Sequence, residues 1–115
     1  MRSDNAVIDE LLAALDRLIV QAAERAKAAR AGIEKHTFSP YHAYRAGIAE
    51  YQALVSVIDG RLEGLPPALV QRTRAKLLVS RRRVLKISIR GAFEFFFALS
   101  AIPNLPLDVR GVFAQ

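Results

Sequence analysis

From Ile8 onward the apolar positions of the first third run Ile8, Leu12, Leu15, Ile19, Ala22, Ala26, Ala29 and Ile33, with steps of 4, 3, 4, 3, 4, 3 and 4. Alternating steps of four and three keep these side chains on one stripe of an α-helix, the spacing of a coiled-coil seam. The pattern predicts a first helix over residues 4–35, with Asp4 or Asn5 as its N-cap and with Asp9 and Glu10 near the positive end of its dipole. The run Thr37-Phe38-Ser39-Pro40 then breaks the pattern and restarts it, with Ser39 as cap and Pro40 at the first helical position, where a missing N–H costs nothing. A second seam follows through Tyr44, Ile48, Tyr51, Val55, Ile58 and Leu62 and predicts a helix over residues 40–63, stopped near Gly60 to Gly64. A connection this short folds the two helices back on each other as an antiparallel hairpin. In that arrangement the alanine half of the first seam faces Tyr44, Ile48 and Tyr51, small against large, and the tyrosines read as core residues with their hydroxyls at the rim.

Leu65-Pro66-Pro67 punctuates again and opens a third helix over residues 67–83, with Leu69, Val70, Leu77 and Leu78 as its apolar side. Beyond it the pattern supports two readings. Every odd position from 85 to 99 is apolar or glycine, while Lys86, Ser88, Arg90 and Glu94 fall between them, as in a half-buried strand. On a helix, Arg82, Lys86, Arg90 and Glu94 instead form one polar stripe at spacing four on an otherwise buried rod. The β-branched and aromatic content favours the strand over residues 84–100, with Arg90-Gly91 as a bulge or turn within it. Since two strands alone are marginal in water, this reading calls for partners from another chain or a helix layer covering one face. Pro103 and Pro106, with Leu105, Leu107, Val109, Val112 and Phe113, predict an extended arm over residues 101–115 of the kind that drapes on a neighbour. The fold class expected is mainly α: a helical hairpin, a third basic helix, an apolar C-terminal segment and a tail.

Composition narrows the class without changing this picture. The 115 residues, 52% apolar and 24% charged, suit one folded domain with one modest core. With no cysteine there is no disulfide, thiolate nucleophile or cysteine-held zinc. The first residues pass straight into an acid-bearing amphipathic pattern without a secretory h-region, so the expected location is the cytoplasm or a virion, with no secretion signal. The longest uncharged stretch of the last third, Phe95 to Leu107, is 13 residues and contains a proline, too short for a transmembrane helix.

Charge does change the picture. Residues 1–63 carry 8 Lys/Arg against 9 Asp/Glu, and residues 64–115 carry 9 against 2, so the whole positive excess lies in the second part. Arg72, Arg74, Lys76, Arg81, Arg82, Arg83, Lys86 and Arg90 follow one another with no acid among them. Such a cluster attracts phosphate backbones, acidic protein partners or anionic lipid; the plain alternative is solvated surface charge. Beside it, Phe93, Phe95, Phe96 and Phe97 are too many for one thin edge to expose, so they form a small core or a subunit interface, together with the arm residues Leu105, Leu107, Val109 and Phe113.

Residues that could carry catalysis are sparse. His36 and His42 are six apart and flank a break, unlike the i, i+4 spacing of helical zinc ligands. The serines lie in no Gly-x-Ser-x-Gly or Ser-x-x-Lys context, and the glycines form no phosphate or dinucleotide loop. Asp59 and Glu63 share a helix face with Arg61 between them and read as exposed polar surface. The expectation is a protein without enzymatic activity, cofactor, metal or small-molecule substrate.

Within the second helix, Tyr51-Gln52-Ala53-Leu54-Val55-Ser56-Val57-Ile58-Asp59-Gly60 resembles the Tyr-x-x-Leu-Val-Gly-x-Ile-x-Gly-Leu helix of small accessory and virion proteins of tailed bacteriophages, with Ser56 in place of the first glycine and Arg61 in place of the leucine. The resemblance covers about residues 51–63 and implies a small subunit of a capsid, neck or tail assembly. The residues themselves point to a structural or interaction subunit whose partners are copies of itself or other proteins. Nucleic-acid binding by the 72–90 basic face and attachment to a membrane surface are the alternatives.

Overall fold

Ser3 is extended and its Oγ accepts the Ala6 N–H at 3.2 Å, which starts α1 (Asp4–Glu34). The computed structural model describes residues 3–102. Asp4 and Asn5 are already helical, so the cap falls one residue earlier than the pattern predicts. All eight seam residues of α1, from Ile8 to Ile33, are buried. At its C-terminus the His36 N–H bonds the Ile33 carbonyl at 3.0 Å and the Thr37 N–H bonds the Gly32 carbonyl at 2.7 Å, the paired bonds of a Schellman stop. His36 supplies the left-handed residue of that stop, with φ of 60°. Gly32 is required for it, because a Cβ there would lie 2.5 Å from the Thr37 carbonyl oxygen.

The chain re-enters a helix at once as α2 (Ser39–Arg61). The first bond runs from the His42 N–H to the Phe38 carbonyl at 3.1 Å, so Ser39 is inside the helix and its side chain caps nothing, contrary to its expected role. The helix stops at Arg61 and Gly64 takes a left-handed φ of 79° before Pro66 and Pro67 open α3 (Pro67–Ser100).

The expected strand over residues 84–100 is corrected here: the segment continues α3 as one helix of 34 residues, and no strand occurs among the described residues. Once residues 67–83 are helical, each further helical residue adds a backbone hydrogen bond, whereas a strand would leave its edge groups without a partner. The odd apolar positions sort into two rows at spacing four on opposite sides of this helix. Ile87, Gly91, Phe95 and Leu99 turn inward, and Leu85, Ile89, Phe93 and Phe97 turn outward. The helical alternative is thus the one that holds, but besides its polar stripe the rod also exposes Leu85, Ile89, Phe93 and Phe97, which that reading took to be buried.

The helices run up, down, up. α2 is antiparallel to α1, and α3 is parallel to α1, as the ion pairs Arg72–Asp9 (3.1 Å), Arg83–Asp16 (3.5 Å) and Arg30–Glu94 (3.5 Å) require. α1 packs against both other helices, while the α2 and α3 backbones approach each other hardly at all. Large side chains span that gap. Tyr51 on α2 donates its hydroxyl to Ser80 Oγ of α3 at 3.1 Å, since the Ser80 hydrogen is already given to the Leu77 carbonyl at 2.8 Å. Phe95 of α3 meets the rings of Tyr41 and Tyr44 edge-on at 5.3 and 5.5 Å. Two apolar clusters result, one built on Ile8, Leu15, Ile19 and Ile58 and the other on Ala29, Ile33, Tyr41, Tyr44 and Phe95. The molecule is a rod of 56 × 22 × 19 Å with a radius of gyration of 17.3 Å, against about 13 Å for a compact domain of this length.

Candidate functional site

The inward face of α3 is set by Leu69, Thr73, Ser80, Val84, Gly91, Phe95 and Leu99. Thr73 and Ser80 are tolerated inside because each hydroxyl bonds a backbone carbonyl of its own helix, Thr73 that of Leu69 at 2.7 Å. With that side fixed against α1, the opposite side must face water. It carries Leu78, Val79, Leu85, Ile89, Phe93, Phe96 and Phe97, all between 49% and 68% exposed. Leu78, which the pattern assigned to the apolar side of the third helix with Leu69, Val70 and Leu77, belongs to this outer face. Of the four phenylalanines singled out by sequence, Phe95 is a core residue at 2% exposure, and Phe93, Phe96 and Phe97 point outward. Leu105, Leu107, Val109 and Phe113 lie outside the described residues.

The outer residues are ordered along the helix. Leu78, Arg82, Leu85, Ile89, Ala92 and Phe96 follow one another with steps of 4, 3, 4, 3 and 4, and all but Arg82 and the small Ala92 are large and apolar. This is a second seam, of the same spacing as that of α1, on a helix whose first seam is already used. Sequence reasoning missed it because the inner and outer rows interleave. Contiguous exposed apolar surface beyond a few hundred Å² is uncommon on monomeric proteins.

The eight basic residues do not form one face. Arg72 and Arg83 lie on the α1 side of α3, where Asp9 and Asp16 hold them. Arg90 is paired with Glu94 at 3.1 Å, and Glu94 also takes Arg30 of α1. Arg74, Lys76, Arg81, Arg82 and Lys86 are exposed and make no ion pair among the described residues. Arg82 stands on the outer seam; Arg81 stands toward α2, where a groove of about 410 Å³ between α2 and α3 is lined by Ile48, Val55, Ser56, Arg81, Leu85 and Ser88. A second groove of about 590 Å³ lies between α1 and α3 beside Asp16, Val79 and Arg83. Both are open surface channels between helices, and along the second Asp9 and Asp16 are joined to Arg72 and Arg83 in ion pairs.

Elsewhere the chemistry is quiet. No group of three or more His, Asp or Glu side chains converges on a metal position among the described residues. His36 and His42 are exposed on either side of the α1–α2 turn, and Asp59 and Glu63 are exposed at the end of α2. Burial pushes the Tyr41 phenol above its ordinary pKa, against the lowering influence of Arg45. No helix among the described residues is long and apolar enough to cross a membrane. Comparison with protein-family models, with curated proteins and with solved structures gave no match.

Proposed function

We propose that this protein is a non-enzymatic structural subunit of a larger oligomeric assembly, with the outer face of α3 as its docking surface. The observation that carries the reading is the row of seven exposed large apolar side chains on that face. A rigid helix held on its other side by a core presents such a row at little conformational cost, which favours association. A phage particle is one setting for such a subunit, a reading supported by the short resemblance over residues 51–63. Size-exclusion chromatography with light scattering, with and without duplex DNA, tests it. Association without DNA is expected, and a monodisperse monomer would sink the reading.

A second reading, nucleic-acid binding, draws on Arg74, Lys76, Arg81, Arg82 and Lys86, cations without an ion pair among the described residues. It requires affinity that falls linearly on a log–log salt plot, with Arg81, Arg82 and Arg83 to alanine lowering the slope. Attachment to anionic lipid, which the same cations and phenylalanines would favour, requires the protein to float with anionic vesicles.

A further inference from the structure

Resting on the docking role of α3, we infer that the partner of its outer face is the same face of a second copy, paired antiparallel about a two-fold axis near residue 87. Three features lead there. The first is spacing. A lipid surface needs only a broad apolar arc, whereas alternating steps of four and three keep a narrow seam facing another helix. The second is self-complementarity. In antiparallel helix pairs the two seam positions of the heptad face each other, and about residue 87 this sets Leu78 against Phe96, Arg82 against Ala92 and Leu85 against Ile89, with each contact occurring twice. The long Arg82 side chain meets the smallest seam residue.

The third feature is charge. All the cations of α3 that make no ion pair among the described residues lie between residues 74 and 86, while beyond them the helix carries only Arg90 and Glu94, paired with each other. A parallel pair would place Arg82 on Arg82. The antiparallel pair carries the basic half of each copy onto the phenylalanine half of the other, where the guanidinium of Arg82 reaches the negative ring faces of Phe93 and Phe96. Only Lys86 meets its own equivalent, across the axis. With roughly 150–250 Å² available per aromatic side chain, the exposed rows of two copies bury on the order of 1,200 Å² in total, the lower bound of specific interfaces.

Lys86 gives the interface a diagnostic sign. Added salt screens the Lys86 pair and the general like charge of two basic chains, so self-association tightens as salt rises, opposite to contact with nucleic acid or anionic lipid. The test uses the full chain, whose lack of cysteine leaves no background. Leu78→Cys and Phe96→Cys chains are prepared separately and mixed, then oxidised or treated with a short bismaleimide. Mixed dimers are expected to cross-link, while neither variant alone does so, because like positions stand roughly 27 Å apart along the axis at 1.5 Å per residue. Light scattering is expected to show a dimer that tightens several-fold from low to high salt and dissociates at least tenfold more readily in Leu85→Glu, with helicity by circular dichroism unchanged. Cross-linking of Leu78→Cys alone, or association that persists in Leu85→Glu, overturns the antiparallel pair and leaves the wider assembly role standing. A monomer under all conditions overturns both.

Discussion

At the scale of single residues, the turn between α1 and α2 concentrates the strain of the fold. His36 holds a left-handed φ of 60°, a conformation that costs a residue with a Cβ roughly 1 kcal/mol and costs glycine little. His36→Gly is expected to raise stability by about 0.5–1 kcal/mol in urea unfolding, since the paired stop bonds use backbone groups alone. The sequence marked this turn through Thr37 to Pro40, yet it did not place the left-handed residue, because no glycine stands there to announce it. Tyr41, two residues into the next helix, has a phenol pKa raised by burial. Its contribution is intact below the ordinary tyrosine pKa of about 10 and fades as pH climbs above it, because the unfolded chain then loses that proton first. Stability measured from pH 9 to 12 should therefore decline, and Tyr41→Phe should make the decline shallower. An identical slope in that variant would refute the assignment to Tyr41.

At the scale of elements, the seams of α1 and α2 were legible because each helix hides one stripe and shows polar residues elsewhere. In α2 the half-exposed Ile48 and Val55 mark where that stripe opens onto the groove beside α3. The far half of α3 was misread for the opposite reason: it has apolar rows on two sides, and two rows at spacing four displaced by two residues reproduce the alternation of a strand. The correct signal was the inner series Leu69, Thr73, Leu77, Ser80, Val84, whose spacing of three and four continues through Ile87, Gly91, Phe95 and Leu99. Its small polar members disguised it. Neighbouring phenylalanines thus have unlike roles, and substitution should separate them. Phe95→Ala removes a ring wedged against Tyr41 and Tyr44 and should cost about 3–5 kcal/mol. Phe96→Ala and Phe97→Ala, at 65% and 68% exposure, should stay within about 0.5 kcal/mol of the parent in dilute solution, where no partner is bound. The α1–α3 ion pairs fix direction more than energy: Arg83–Asp16 is 3.5 Å long with both side chains exposed, so Asp16→Ala should cost less than about 0.5 kcal/mol.

At the scale of the whole molecule, α1 carries the fold, since it alone packs closely along both neighbours, and the tyrosines of α2 bridge the remaining side by reach. A bundle arranged in this way is long and thin, and its longest helix displays an ordered apolar row to solvent. The elongation makes the geometry of association measurable. The antiparallel axis near residue 87 lies only a few residues beyond the midpoint of α3 (Pro67–Ser100). At 1.5 Å per residue the two bodies are then displaced along the rod by only about 10 Å. A pair built on the outer seam should accordingly be little longer than the 56 Å of one copy while its cross-section roughly doubles. Small-angle scattering separates these quantities, because the cross-sectional radius and the length are read from different parts of the curve. End-to-end association through the helix termini would double the length at constant cross-section, and that outcome would place the contact away from Leu85 and Ile89.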